Sequence, residues 1–251
     1  MLQQRVESLL REVNKTMSTY DEESELSRLN LSESTEWIEI SEDLYTVLDA
    51  ASVVARDSGG AFDVTIGPVV NLWGFGPTPG TGRMPESVAL EQARARVGVG
   101  KFVLQSRPNA LRKIAGDVNI DLSGIAKGYA VDRVAWLFSQ LGVHDFLIDI
   151  GGEMSARGRN PDGADWQIGL EMMAGKGVEI GPVIEFTNAS LASSGNYRNF
   201  FELDGVRYGH TIDPKTGMPT QHRLAGVTVL HDSSMFADAW ATALMSLGFE
   251  A

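Results

Sequence analysis

Helical and strand signals alternate irregularly along this chain, and that irregularity constrains the fold more than any single motif. Apolar residues recur at helical spacing at Val6, Leu9, Leu10, Val13 and Met17, and again at Leu44, Val47, Leu48, Ala51, Val54 and Ala55. Ser41 is placed to cap the start of the second helix, and Gly59 lies just past its end. Pro85 opens a third helix that runs to about Val97. The run Val118 to Leu122 reads as a strand that feeds through Ser123-Gly124 into a helix carrying Tyr129, Val131, Val134, Leu137 and Leu141, with Gly142 as its stop. Strand signals follow at Phe146 to Ile150, Trp166 to Glu171, Val183 to Thr187, Phe200 to Leu203, Tyr208 to Ile212 and Ala225 to Leu230. The stretch Asp213-Pro-Lys-Thr-Gly217 is a turn on chemical grounds. A mostly antiparallel sheet with helices packed on it, an α+β domain, accounts for this order better than a regular βαβ alternation does.

The chain has 251 residues, enough to bury a substantial core, and no low-complexity linker divides it. The segment Gly74 to Gly82 is too short for a hinge and reads as a surface loop, so we expect one compact unit. A formal net charge of −12 disfavours nucleic acid as a partner. An anionic small ligand then needs a local positive device, and a metal, a helix N-terminus or an isolated Lys can supply one. The absence of cysteine excludes disulfides, thiolate metal sites and Cys nucleophiles. No apolar run is long enough to span a membrane, and no signal peptide is evident at Met1.

Three separated stretches carry polar residues on scaffolds suited to hold them. Asp238 and Thr242 stand at i and i+4 on one face of a helix, with Ala241 leaving room beside them. Such a pair normally lies on a solvated face. Here Phe236, Ala237, Ala239, Trp240, Ala241, Ala243 and Leu244 make the helix apolar nearly all round, so it is expected to be buried, and a buried carboxylate needs a partner. A carboxylate and a hydroxyl are hard oxygen donors of the kind Mg²⁺ accepts alongside substrate phosphates. The join Asp121-Leu-Ser-Gly-Ile-Ala-Lys-Gly128 points backbone N–H groups and Lys127 toward a phosphate, or else is a capped helix with a solvated Lys. His210 ends a strand just before the turn, where it is either a hydrogen-bonded structural residue or an acid or base facing a cleft.

Other stretches are more ambiguous. Phe62, Trp73 and Phe75 lie among glycines, where aromatics can sandwich a flat ring but more commonly pack in a core. Ser193-Ser-Gly-Asn-Tyr197 reads as a polar turn, compatible with anion binding or with an ordinary hairpin. The sequence has no Rossmann glycine fingerprint, Walker A loop, GxSxG elbow or HExxH pair.

Taken jointly and in order, Phe62-Asp-Val-Thr-Ile-Gly-Pro68 with Asn71-Leu-Trp-Gly-Phe-Gly76, Asp121 to Tyr129, Ile150-Gly-Gly-Glu153, Ser193 to Tyr197, His210-Thr-Ile-Asp-Pro214 and Asp238-Ala-Trp-Ala-Thr242 resemble the ApbE family of Mg²⁺-dependent FAD:protein FMN transferases. The resemblance runs from Met17 to Gly248. It implies an α+β fold related to the tunnelling fold, with FAD in a cleft. It also implies that Tyr20, Ala61, Phe62, Asp63, Asp121, Lys127 and Ile212 line the FAD site, and that Asp238, Thr242 and the Gly124 carbonyl bind Mg²⁺. Some members carry an acidic residue where this chain has Ala241, which leaves a second metal or an extra ligand open.

The implied reaction is attack by a Thr or Ser hydroxyl of an acceptor protein on the FMN-side phosphorus of FAD, releasing AMP, with His210 taking the proton. Implied acceptors are subunits of Na⁺-pumping quinone reductase or Rnf type. The implied location is the periplasm or the outer face of the inner membrane, as a membrane-associated lipoprotein. Against the family pattern, the strand that usually precedes the first helix and the usual last strands are absent, so the 1–251 domain is expected to be trimmed at both ends. Two rivals share these features: an FAD pyrophosphatase yielding FMN and AMP, and a non-catalytic FAD-binding protein.

Overall fold

A computed structural model describes residues 1–77, 83–174, 177–196 and 199–249 of the chain. Helices α1 (Leu2–Met17) and α2 (Glu25–Leu31), strand β1 (Ile38–Glu39) and helices α3 (Glu42–Asp57), α4 (Gly67–Trp73) and α5 (Ser87–Arg94) come first. Strands β2 (Phe102–Ser106) and β3 (Asn109–Lys113) and helix α6 (Ala126–Gln140) follow. The second half holds β4 (Phe146–Ile150), β5 (Glu153–Arg157), β6 (Trp166–Ala174), β7 (Gly177–Phe186), β8 (Ala189–Gly195), β9 (Phe200–Leu203), β10 (Val206–Gly209), β11 (Ile212–Asp213), β12 (Met218–Pro219) and β13 (Gly226–His231). Helix α7 (Ser234–Leu247) closes the described chain.

Every strand pairing among the described residues is antiparallel, which bears out the α+β expectation. The largest sheet has the order β13-β8-β5-β4; β1, β3 and β2 form a second sheet, and β6–β7, β9–β10 and β11–β12 are two-stranded. One apolar core joins α1, α2, α3, α6 and α7 to β3 and β4, and the sheet that carries β5 and β8 packs on α7.

The expected helices are present with small differences. Ser41 caps α3, its side chain accepting the Leu44 N–H at 3.2 Å. Helix α5 starts at Ser87, two residues after Pro85, and ends at Arg94, so it is shorter than the Pro85 to Val97 expectation. Val118 to Leu122 is not a strand. That segment is extended, but Asn30 takes the place of a ladder partner: its side chain accepts from the Ile120 N–H and donates to the Ile120 carbonyl, both at 2.8 Å, and the Asp121 N–H donates to the Val64 carbonyl at 2.7 Å. Ser193 to Gly195 is the end of strand β8 rather than a turn, and Tyr197 lies outside the described residues, as does part of the Gly74 to Gly82 loop. Tyr208 to Ile212 splits into β10 and β11, and His210 sits on the bend between them.

Helix α7 is the element on which the site is built. Ala237, Ala239, Ala241, Ala243 and Met245 are all fully buried, as the all-round apolar pattern required. Ala237 and Ala241 pack against Ala192 of β8, while Ala239 and Ala243 face the helical core. The helix start is anchored by Asp132 of α6, whose carboxylate accepts from Ser233 Oγ at 2.6 Å and from the backbone N–H groups of Ser234 and Met235 at 2.8 and 3.0 Å. Gly128 lets the two helices approach, because a Cβ there would collide with the Ser234 carbonyl oxygen.

Candidate active site

A cleft of about 1320 Å³ lies between the start of α6, one face of α7, the end of β8, the β6–β7 hairpin and the bend after β10. Tyr20, Ala61, Phe62, Asp63, Asp121, Gly124, Lys127, His210, Ile212, Asp238 and Thr242 all line it, although they come from segments spread across the whole chain. The fold brings these residues together at one cavity; Trp73 does not line it.

Asp238 is deeply buried, only 3% exposed. Its Oδ2 accepts the Gly128 N–H at 3.0 Å. Burial pushes its pKa up to about 7, opposed by the Lys127 ammonium and the Gly128 bond and reinforced by the Glu153 carboxylate. One turn on, Thr242 Oγ1 lies 3.4 Å from Ser194 Oγ. A Cβ added to Gly124 would lie 3.0 Å from that Thr242 oxygen and 3.3 Å from Phe62 Cε2, so the glycine backbone is drawn close against α7.

Among the described residues no three His, Asp or Glu side chains form a metal cage. The available donors are one carboxylate, a hydroxyl and a nearby backbone carbonyl, all hard oxygens. That set fits Mg²⁺, which takes one or two protein carboxylates and completes its shell with water and phosphate. The local charge balance fits a cation as well. Two buried carboxylates, Asp238 and Glu153, share the Lys127 ammonium, and Glu153 Oε2 is buried with no hydrogen-bond partner among the described residues.

Glu153 is the functional group that the sequence reading missed. It opens β5 directly after Gly151 and Gly152, is 1% exposed, and its Oε1 accepts from Lys127 Nζ. Burial raises its pKa, with Lys127 acting in the opposite direction. The available signal was the Gly-Gly-Glu stretch, which singles out the residue but not a role for it.

His210 stands on the opposite wall. Its backbone N–H and its Nδ1 both approach the Asn199 carbonyl, at 3.1 and 3.2 Å. A carbonyl only accepts, so Nδ1 carries the proton and Nε2 is left as a bare acceptor. Desolvation lowers the pKa, with the Asn199 bond opposing and the distant Lys127 charge adding to the fall. The ring is open to the cleft on one side, and water reaching it there moderates that shift. Asn196 sets the bend, its Oδ1 accepting the Thr211 N–H at 3.1 Å.

The remaining wall is aromatic and acidic. Phe62 and Trp73 are both buried in the core; Trp73 Nε1 donates to the Gly217 carbonyl at 2.8 Å and Trp73 is a packing residue, whereas Phe62 also lines the cleft. Phe75 is half-buried, lines the cleft and meets the His210 ring edge-on at 6.4 Å between centroids. Asp63 is 7% exposed and accepts from Thr65 N at 2.8 Å and Thr65 Oγ1 at 2.6 Å; burial still raises its pKa. Tyr20 stands at the lip, 72% exposed.

A carboxylate and a hydroxyl on a buried helix, beside a lysine at a helix start on an α+β scaffold, are groups able to take a cation together with a phosphate-bearing ligand. The chain belongs to the ApbE family, whose sequence profile matches residues 2–251. It is 44% identical over 249 residues to the FAD:protein FMN transferase of Haemophilus influenzae, covering 98% of this chain and 72% of that one. It is 43% identical over 249 residues to the transferase of the same name from Vibrio cholerae, covering 99% of this chain and 74% of that one. Among solved structures, the flavin transferase ApbE from Vibrio cholerae superposes with a TM-score of 0.91 at 41% identity, over 99% of this chain and 79% of that chain. The apo form of the Pseudomonas stutzeri flavinyl transferase ApbE superposes with a TM-score of 0.89 at 39% identity, over 99% and 77%.

Proposed function

We propose that this chain transfers FMN from FAD to a Thr or Ser hydroxyl of an acceptor flavoprotein and releases AMP. The observation that carries this reading is the convergence of Asp238, Thr242, Gly124, Lys127 and His210 on one cleft, in a chain of the ApbE family. Asp238, Thr242 and the Gly124 carbonyl would hold Mg²⁺, which when bound neutralises charge on pyrophosphate oxygens. Lys127 offers its ammonium to the same phosphates from the first turn of α6. Tyr20, Ala61, Phe62, Asp63, Asp121 and Ile212 supply the rest of the FAD wall.

In the reaction the acceptor hydroxyl oxygen forms a bond to the FMN-side phosphorus, the bond from that phosphorus to the bridging oxygen breaks, and AMP leaves with the bridging oxygen. The hydroxyl proton passes to His210 Nε2, which the Asn199 contact leaves unprotonated. We place the reaction in the periplasm or at the outer face of the inner membrane, with subunits of Na⁺-pumping quinone reductase or Rnf type as acceptors. No helix among the described residues is long and apolar enough to cross a membrane.

The test is to incubate the protein with FAD, Mg²⁺ and a Thr-bearing acceptor, and to follow AMP and the acceptor mass together. AMP should form slowly without acceptor, accelerate when acceptor is added, and match the bound flavin in amount. Changing the acceptor Thr to Val should restore the slow background. Rapid AMP and free FMN formation indifferent to the acceptor would replace this reading with a pyrophosphatase.

A further inference from the structure

We propose that Glu153 is a positioning residue that holds the Lys127 ammonium against the phosphates of FAD, so that the two side chains act as one unit. The inference rests on the preceding reading for the place of those phosphates, and goes beyond it in giving Glu153 a task.

The pair is asymmetric. Lys127 is 48% exposed and reaches the cleft, whereas Glu153 is 1% exposed and lies beneath it. Gly151 and Gly152 have φ of +68° and +103°, a double left-handed turn that brings Glu153 under Lys127 as β5 begins. Gly151 also packs on both partners, since a Cβ there would lie 3.8 Å from Glu153 Oε2 and 3.8 Å from Lys127 Cδ.

Stability does not account for such a pair. Burying a carboxylate with one oxygen unpartnered costs free energy, and an apolar pair of the same shape generally does as well or better. What the arrangement supplies is a fixed cation. A lysine head on four rotatable carbons loses much freedom when it binds phosphate, and anchoring it beforehand removes that loss from the binding step. The anchor must be a charge that cannot itself swing toward the ligand, and a buried glutamate on the first residue of a strand meets that need.

A sign pattern follows. Loss of Lys127 alone leaves the Glu153 carboxylate without its cation beside an anionic ligand. Loss of Glu153 alone frees the ammonium but also removes a repulsive charge, so FAD affinity changes little while the rate falls. Loss of both removes the cation and one of the carboxylates together, and is milder for affinity than loss of Lys127 alone.

The experiment compares the full chain, Lys127→Met, Glu153→Gln and the double variant, reading FAD Kd by quenching of flavin fluorescence with Mg²⁺ present and kcat by FMN transfer. Glu153→Gln should keep Kd within about threefold and lower kcat about tenfold, a split that a merely structural residue would not produce. Lys127→Met should raise Kd about 30-fold, and the double variant should recover about tenfold of that loss. If Lys127→Met does not fold, Lys127→Gln takes its place, because its amide still donates to Glu153. Losses that simply multiply in the double variant overturn the pairing. Equal FAD affinity in all four proteins overturns the placement of the FAD phosphates at Lys127 instead.

Discussion

The two walls of the cleft are built to different stiffness. On one wall, Asp238 and Thr242 project from a helix whose alanines are fully buried, whose start is held by three hydrogen bonds to Asp132, and whose neighbour α6 approaches at Gly128. On the other, His210 follows a two-stranded hairpin, β9–β10, and is held by the Asn199 carbonyl, with Phe75 meeting its ring edge-on. Beneath it Trp73, Phe201 and Tyr208 stack at 5.3 to 6.1 Å between centroids. The hairpin has no third strand and is held to the fold mainly through the packing of Phe201 and Tyr208 on Trp73 of α4, whereas α7 is packed against both the sheet and the helical core, so the hairpin wall is the easier to displace. A small anionic ligand is best held by groups that cannot move, whereas a protein acceptor needs one wall that can give way.

If that contrast is right, the stiff wall should carry the larger effect. Asp238→Ala removes the only anionic donor assigned to the metal. Turnover should fall by more than about 10³, since a metal clamp contributes several kcal/mol to the transition state. Mg²⁺-dependent FAD binding should weaken with it. Near-normal turnover of Asp238→Ala at limiting Mg²⁺ would falsify the metal assignment.

The hairpin wall should affect rate without affinity. His210→Gln should leave FAD bound as tightly as before while kcat drops about 10²- to 10⁴-fold, the range of general-base assistance. A base works only when deprotonated, and burial lowers the His210 pKa below its ordinary 6.5. At saturating Mg²⁺ the acid limb of kcat/KM should therefore fall off below that value and should vanish in His210→Gln. Weaker FAD binding with an unchanged maximal rate would assign His210 to the ligand and remove the distinction between the walls.

The same contrast governs what could be read from sequence. Asp238 and Thr242 were legible because two polar residues at i and i+4 interrupt an otherwise apolar helix, a local pattern that implies its own burial. Strands β5 and β8 were not, although they occupy the middle of the main sheet. Their residues, Glu153-Met-Ser-Ala-Arg157 and Ala189-Ser-Leu-Ala-Ser-Ser-Gly195, are weakly β-prone, and those of β8 are mostly small where α7 packs against them. The fully buried Ser155 and Ser190 satisfy each other across these strands at 3.1 Å. Val118 to Leu122 misled in the opposite sense, since an alternating apolar and polar run read as a strand finds its partner in a side chain 90 residues away. Glu153 failed for a related reason: its meaning depends on Lys127, which only the tertiary structure places beside it.

The smallest effect expected concerns the metal-free protein and tests whether the stiff wall is strained by its own charge. Burial raises Asp238 from its ordinary 3.8 to about 7, so between those values the folded state keeps a proton that the unfolded chain has lost. Where the folded state binds more protons, stability falls as pH rises. The cost of this group is therefore absent near pH 4, grows through the window, and is fully present above about pH 7. Asp238→Asn cannot ionise and escapes it. Measured with chelator present, the variant should melt several degrees above the parent near pH 8, and the gap should close as pH approaches about 4. Removing this carboxylate also relieves the raised Glu153, which acts in the same direction and does not reverse the sign. Added Mg²⁺ should raise the parent Tm and leave the variant nearly unmoved, because only the parent has a carboxylate for the ion to neutralise. A gap independent of pH would mean that Asp238 is already compensated within the fold, and that the rigidity of α7 carries no charge strain awaiting a cation.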